Sequence, residues 1–360
     1  MVTTSTAAWR APGRVNLIGD HTDYAEGLVL PMAIDRECVV TCHIGRTGTL
    51  RARSRELYGE VVIPLDERVD AREVEPRWGA FVAGALQALT DRGAAVPAVE
   101  LTVSSSVPAG SGLSSSSALS VALVLALADA AGLRLDRTEI ARAALDAEVR
   151  ATGVPGGLMD QLTAVHGAAG HALVIDCRHL RAEPITLPSE LAVVVAHSGL
   201  PRTLAGTAYA DRRAATDAAA ATLGLRALRD ATLAQVRDDP RARHVVTENA
   251  RVVDFARALR RGDLATLGRL MLASHASLRD DFEVSTPELD ALVDAFVEAG
   301  ALGARLTGAG FGGCVVALTT NPRADAVMTG VTTGYPARTG IATTPFAVRA
   351  VDGAGRVTRR

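Results

Sequence analysis

Residues 107–118 read VPAGSGLSSSSA, between a β-rich run at 98–103 (AVELTV) and a strongly apolar stretch at 115–131. Gly110 and Gly112, one residue apart, let backbone N–H groups turn toward a bound anion. Ser114, Ser115, Ser116 and Ser117 then open a helix, where free N–H groups and the helix dipole favour phosphate. A hydroxyl in that turn is also a ligand suited to Mg²⁺. The same composition suits a Gly/Ser linker or a plain helix cap, although a linker does not usually run straight into so apolar a helix. Outward from this strand–loop–helix unit, strands are expected at 37–44, 60–65, 171–176, 191–196, 303–307, 314–319 and 345–350, with helices at 78–90, 137–150, 204–222, 243–261, 263–278 and 287–299. Strands and helices interleave without a regular βαβ beat, which predicts an α+β fold rather than a doubly wound sheet. The polar, Pro-bearing stretch near 180–190 suggests a division into 1–185 and 186–360.

Composition narrows the chemistry. The chain has 360 residues, enough for two domains, with 48% hydrophobic and 22% charged residues and a net charge of −2. Neither a general nucleic-acid binder nor a membrane-surface protein is expected from that balance. All 38 basic residues are Arg. A Walker A lysine, a protein-kinase β3 lysine, a Schiff base and a Ser-Lys dyad are therefore excluded. Cys38, Cys42, Cys177 and Cys314 form no CxxC pair and no zinc spacing, so reduced, mostly buried thiols are expected. No signal peptide and no membrane span are read, and a cytoplasmic protein is expected.

Three further motifs carry polar chemistry. Residues 11–24 read APGRVNLIGDHTDY. Asp20, His21 and Asp23 can accept from and donate to vicinal hydroxyls, and Arg14 is an obligate cation able to neutralise phosphate. An exposed polar turn accounts for the same spacing. Residues 156–161 read GGLMDQ, with Glu148 upstream, and place Asp160 where a helix begins. Asp160 is either a helix cap or a base facing a substrate hydroxyl. Residues 306–314 read LTGAGFGGC. This resembles a dinucleotide fingerprint, yet it leads into a strand and lacks a following acidic ribose partner. Its glycines are read instead as permitting close backbone approach.

Together these stretches resemble the galactokinases of the GHMP small-molecule kinase superfamily. APGRVNLIGDHTDY is similar to the galactokinase signature, VPAGSGLSSSSA to the GHMP phosphate loop and LTGAGFGGC to the third GHMP motif. GGLMDQ followed by VIDCR, and residues 274–290 (SHASLRDDFEVSTPELD), are closer to galactokinases in particular. The missing lysine fits, because this phosphate loop uses none.

The resemblance implies an N-terminal domain like the second domain of ribosomal protein S5, a C-terminal ferredoxin-like domain, and an active site between them. It implies transfer of the γ-phosphate of ATP to the C1 hydroxyl of galactose. Asp160 matches the catalytic aspartate and Arg14 the arginine that stabilises developing charge. Asp20, His21, Thr22, Asp23, Gly157 and Tyr209 match the sugar site. Gly110, Ser111, Gly112, Leu113, Ser114, Ser115 and Ser116 match the ATP loop, Trp78 the aromatic beside the adenine, and Ser54 a further nucleotide contact. Ser116 and Glu148 match the Mg²⁺ ligands. A monomer or weak homo-oligomer is expected. Phosphoryl transfer asks for positioning and charge neutralisation more than covalent help, and these groups supply both without lysine.

Two departures matter. The usual LIGEHTDY reads LIGDHTDY, so Asp20 reaches roughly 1.3–1.5 Å less than a glutamate. That position serves the C6 side of the sugar in the family, and broader or altered tolerance at C6 is expected. Ser117-Ala118 reverses a common Ala-Ser order without shortening the loop. Alternatives are a kinase for arabinose, galacturonate or N-acetylgalactosamine, or a non-catalytic galactose and ATP sensor. A sensor is expected to have lost its loop or its base, whereas Asp160, Arg14, Glu148 and Ser116 all stand.

Overall fold

The computed structural model describes residues 6–46, 48–200 and 205–357. Strands β1 (Thr6–Ile18) and β2 (Leu28–Ile44) form a long antiparallel hairpin whose tip holds the DHTDY run. The 11–18 half of β1 is buried throughout, so it lacks the alternation that marks a strand with one wet face. The pairing shifts register between Pro12 and Arg14 and again between Asn16 and Ile18. Such irregularities re-aim side chains, here next to the site.

Strands β3 (Thr49–Ser54), β4 (Glu60–Pro64) and β5 (Val99–Ser105) extend this sheet beyond β2. Strands β6 (His171–Asp176) and β7 (Arg181–Thr186) branch from β2. Helices α1 (Gly79–Thr90), α2 (Ser115–Ala130), α3 (Arg137–Thr152) and α4 (Met159–His166) pack together, with α2 and α4 against β1 and β2. Helix α2 is apolar nearly all round because it is a core helix, enclosed by β1, β2, α1 and α3. No described helix is long and apolar enough to cross a membrane.

The second sheet comprises β8 (Leu191–His197), β9 (Gly303–Thr307), β10 (Cys314–Thr320) and β11 (Phe346–Val348) in the order β11-β8-β10-β9, all antiparallel. Helices α5 (Ala205–Thr222), α6 (Pro240–Arg261), α7 (Leu264–Asp280) and α8 (Pro287–Glu298) lie between β8 and β9 in sequence, and α9 (Ala324–Thr339) between β10 and β11. The β-α-β-β-α-β order is the ferredoxin-like arrangement with extra helices in its first crossover. Residue 204 of the expected helix at 204–222 lies outside the described residues. Helix α6 begins earlier than expected because Asp239 caps it and Pro240 takes the first turn, where no N–H is needed.

The chain closes on itself: β12 (Gly355–Arg356) returns to pair with β1. Helix α6 also bridges the two sheets. Its Val252 and Phe255 join the first core, while Ala242 and Val245 join the second.

Candidate active site

A pocket of about 440 Å³ is lined by the tip of the β1–β2 hairpin, the start of α2, the end of α3, the start of α4, Tyr209 of α5 and the glycine turn at 308–309. At its wall Arg14 forks onto Asp160, with Nε on Oδ1 at 2.7 Å and an Nη nitrogen on Oδ2 at 2.8 Å. The other Nη nitrogen donates to Gly112 O at 2.6 Å, and the Arg14 amide donates to Leu113 O. One guanidinium therefore ties the phosphate loop to the aspartate. Asp160 sits in the first turn of α4 but does not cap it: Leu158 holds the cap position without a side-chain bond. Of the two roles open in the sequence, the cap is removed, because the carboxylate turns to Arg14 and to the Ser114 hydroxyl 2.5 Å away.

The loop carries positive φ at Gly110, Gly112 and Ser114. Ser114 sits at the N-cap of α2 and caps no amide, since its Oγ is committed to Asp160. Ser115 and Ser116 of the first turn face the pocket. Glu148 comes from α3 and accepts from Ser116 Oγ at 2.6 Å, Ser117 Oγ at 2.8 Å and Gln161 Nε2 at 2.8 Å. Burial pushes the Glu148 carboxyl above its ordinary range, opposed by these hydrogen bonds and reinforced by the charge of Asp160. These donors are neutral, and the Gln161 Oε1 atom beside them is buried without a partner. Among the described residues no three His, Cys, Asp or Glu side chains cluster as a protein-only metal cage. One buried carboxylate with one hydroxyl fits Mg²⁺ that takes its remaining ligands from phosphates and water. Ser117 and Gln161 lay inside motifs picked out in the sequence, but only the fold shows them meeting Glu148.

The hairpin tip lines the rest. Asp23 abuts Gly157 so closely that a Cβ on that glycine would lie 1.7 Å from Asp23 Oδ2. Burial and the charge of Asp160 raise the Asp23 carboxyl to about 6. Burial holds His21 neutral, lowering it to about 3. Its Nε2 lies 3.2 Å from Ala309 O, which only accepts, so Nε2 carries the proton and Nδ1 accepts from the Tyr24 hydroxyl at 2.9 Å. His21 thus lines the pocket with both ring nitrogens occupied, and its ring stands 5.8 Å from that of Tyr209. Asp20 is buried, with Asn16 Nδ2 on one oxygen at 2.9 Å and Arg305 on the other at 2.5 Å. Thr22 turns away: its hydroxyl closes the hairpin tip on Gly19 O and Leu28 O.

A second hollow of about 400 Å³ is lined by Ser54, Trp78, Phe81, Pro108 and other residues, and it shares Ser115 and Ser116 with the first. Trp78 and Ser54 are thereby brought together on one side of the phosphate loop, with Asp160 and the hairpin tip on the other. Leu113 and Ser111 of the loop are buried: Leu113 acts through its carbonyl, and the Ser111 hydroxyl bonds Pro108 O.

The GHMP kinase N-terminal domain family matches residues 80–168, the GHMP kinase C-terminal family residues 255–337, and the galactokinase galactose-binding signature residues 2–43. A galactokinase of Roseiflexus sp. (strain RS-1) is 43% identical over 97% of this chain and 92% of that protein. The chain belongs to the galactokinase family. It is a sugar kinase, a phosphotransferase. A Lactococcus lactis galactokinase crystallised with galactose matches with a TM-score of 0.93 at 30% identity, covering 99% of this chain and 96% of that one. A Methanococcus jannaschii mevalonate kinase matches with a TM-score of 0.72 at 17% identity over 97% and 99%, which extends the shared fold and nothing more. For a galactokinase-family chain, residues that sequence reasoning missed are Asn16, His244, Glu248 and Arg305, which hold the hairpin tip from behind. Asn16 lies inside the 11–24 motif without having been singled out, and no local motif marks His244, Glu248 or Arg305, which come from α6 and β9.

Proposed function

We propose that this chain transfers the γ-phosphate of ATP to the C1 hydroxyl of galactose, with Asp160 and Arg14 at the point of transfer. The observation that carries the reading is the Arg14–Asp160 pair, set between a phosphate loop and a hairpin tip rich in hydroxyl-binding groups. The adenine lies toward Trp78 and Ser54, the phosphates over Gly110 to Ser116 at the start of α2, and the sugar against Asp20, Asp23, Gly157 and Tyr209. Ser116 and Glu148 hold Mg²⁺, which when bound with ATP neutralises phosphate charge. Held by the Arg14 fork and the Ser114 hydroxyl, Asp160 orients the C1 hydroxyl and takes its proton as the bond to phosphorus forms. Freed of Asp160, the same guanidinium is placed to neutralise charge spreading onto the phosphoryl oxygens. One chain supplies every group named, in keeping with a monomer or weak homo-oligomer, and dependence on ATP accords with a cytoplasmic setting.

Asp20 favours a second reading in which the preferred sugar differs at C6, because its short carboxylate is already engaged by Asn16 and Arg305. ADP release with Mg-ATP is measured against galactose, 2-deoxygalactose, N-acetylgalactosamine, arabinose, fucose, galacturonate and glucose. Strongest turnover on galactose supports the first reading. Strongest turnover on a sugar altered at C6 supports the second, and turnover on none rejects both.

A further inference from the structure

Three carboxylates stand in sequence along the pocket wall. Asp160 marks the reacting end. Asp23, packed on Gly157, feels the charge of both Asp160 and Asp20. Asp20 closes the far end, where the wall is no longer built by the first sheet alone. Its carboxylate meets Arg305, a fully buried arginine on β9 of the second sheet. One Nη nitrogen of Arg305 donates to Asn16 O at 3.0 Å and the other to Asp20 Oδ2 at 2.5 Å. Asn16 Nδ2 holds the remaining oxygen.

An ionised carboxylate accepts up to about four hydrogen bonds, so two donors from behind fix its plane and leave lone pairs toward the pocket that it lines. Burial on balance raises the Asp20 carboxyl above its ordinary range, and the charge of Arg305 is the largest influence opposing that rise. Two buried atoms flank the pair without partners, Arg305 Nε and Asn16 Oδ1.

We propose that Arg305 is a specificity-determining residue for the sugar: it fixes Asp20 as the acceptor that reads the hydroxyls across the ring from the reacting one. The inference rests on the galactose-kinase reading above. Arg305 acts through Asp20 and is a positioning residue. A purely structural clamp between the sheets accounts for the same ion pair, so the test needs a readout that such a clamp does not move.

Kinetics with saturating Mg-ATP are measured on galactose, on 6-deoxygalactose and glucose (altered on the far side of the ring), and on 2-deoxygalactose (altered beside the reacting carbon). The proteins are the wild type, Arg305→Lys and the double variant Asp20→Asn/Arg305→Met. The wild type is expected to prefer galactose over at least one far-side analogue. Arg305→Lys keeps a charge but loses the fork, and it shrinks that preference about tenfold or more by raising the galactose KM, with kcat within a few fold. Its galactose to 2-deoxygalactose ratio stays that of the wild type. The double variant removes both charges of the pair, which spares the fold the cost of one stranded charge, and it shows the same loss of far-side preference. Values of KM that move together for all four sugars, or wild-type preference retained in the double variant, overturn the proposal. A wild type that phosphorylates no sugar overturns the kinase reading itself and is distinct from either result.

Discussion

Replacing Gly157 by Ala tests how tightly the sugar site is drawn. A Cβ on Gly157 would lie 1.7 Å from Asp23 Oδ2 and 2.4 Å from its Cγ, whereas ordinary contact begins near 3.4 Å. The Asp23 carboxylate must therefore withdraw by roughly 1.7 Å, more than the whole width of the distance range in which a hydrogen bond forms. Asp23 cannot retreat freely, because it belongs to a hairpin tip gripped from behind by Glu248 and His244. The lost contact is a hydrogen bond to a charged acceptor, worth about 1.5–3 kcal/mol, or roughly ten- to a hundredfold in galactose KM. Gly157 has ordinary backbone angles and lies in a loop, so the fold is expected to survive. Steady-state kinetics with each substrate varied in turn should show the rise in galactose KM with the ATP KM changed less than about threefold. An unchanged galactose KM, or equal rises for both substrates, would show that the Gly157–Asp23 contact does not shape the sugar site.

Three other outcomes follow from the site. Asp23 titrates at about 6, so as pH falls through 6 it gains a proton, stops being a charged acceptor, and the galactose KM rises; Asp23→Asn should show a high KM that no longer changes over that range. Glu248 is buried, which alone would raise its carboxyl, but Arg251, with His244 and Arg305, more than offsets this and holds it at about 2. Its contribution to stability is therefore present above its ordinary 4.5 and is lost as pH falls toward 2, and Glu248→Ala should cost about 3 kcal/mol in a denaturant titration at neutral pH. Ser116→Ala should raise the Mg²⁺ concentration needed for half-maximal rate about tenfold while leaving the galactose dissociation constant unchanged by calorimetry.

Much of the fold was legible because local chemistry and tertiary role coincide. Helix α3 is expected at 137–150 and forms with Asp136 and Glu139 as a capping box and Gly153 as its stop. Two short strands were harder: β3 (TLRARS), which lies between β5 and β4, buries only Leu50 and Ala52 between arginines, and β7 (RAEPIT), on the branch from β2, carries arginine, glutamate and proline. Strand β1 was read as a motif and not as a strand, because both its faces are covered where Arg14 and Asn16 sit. At the site, Arg14, Asp160, Ser116 and Glu148 were legible from their motifs, but not the bond from Ser114 to Asp160 or the commitment of both His21 nitrogens. Those depend on loop geometry: a positive φ at Ser114 and at His21 aims each side chain where no sequence period points. Least legible was Arg305, one arginine among 38, whose meaning arises only when the second sheet docks against the hairpin tip.

Asp160 and Arg14 together are proposed to deliver the γ-phosphate of ATP to the C1 hydroxyl of galactose. The most direct measurement is ³¹P NMR of the products formed from galactose and Mg-ATP by the wild type and by Asp160→Ala, with galactose binding to both followed by calorimetry. The wild type should form an anomeric sugar phosphate, and the variant, which still binds galactose, should form it at a rate about a thousandfold or more lower. A variant that forms the anomeric phosphate at nearly the wild-type rate would remove Asp160 from the transfer step.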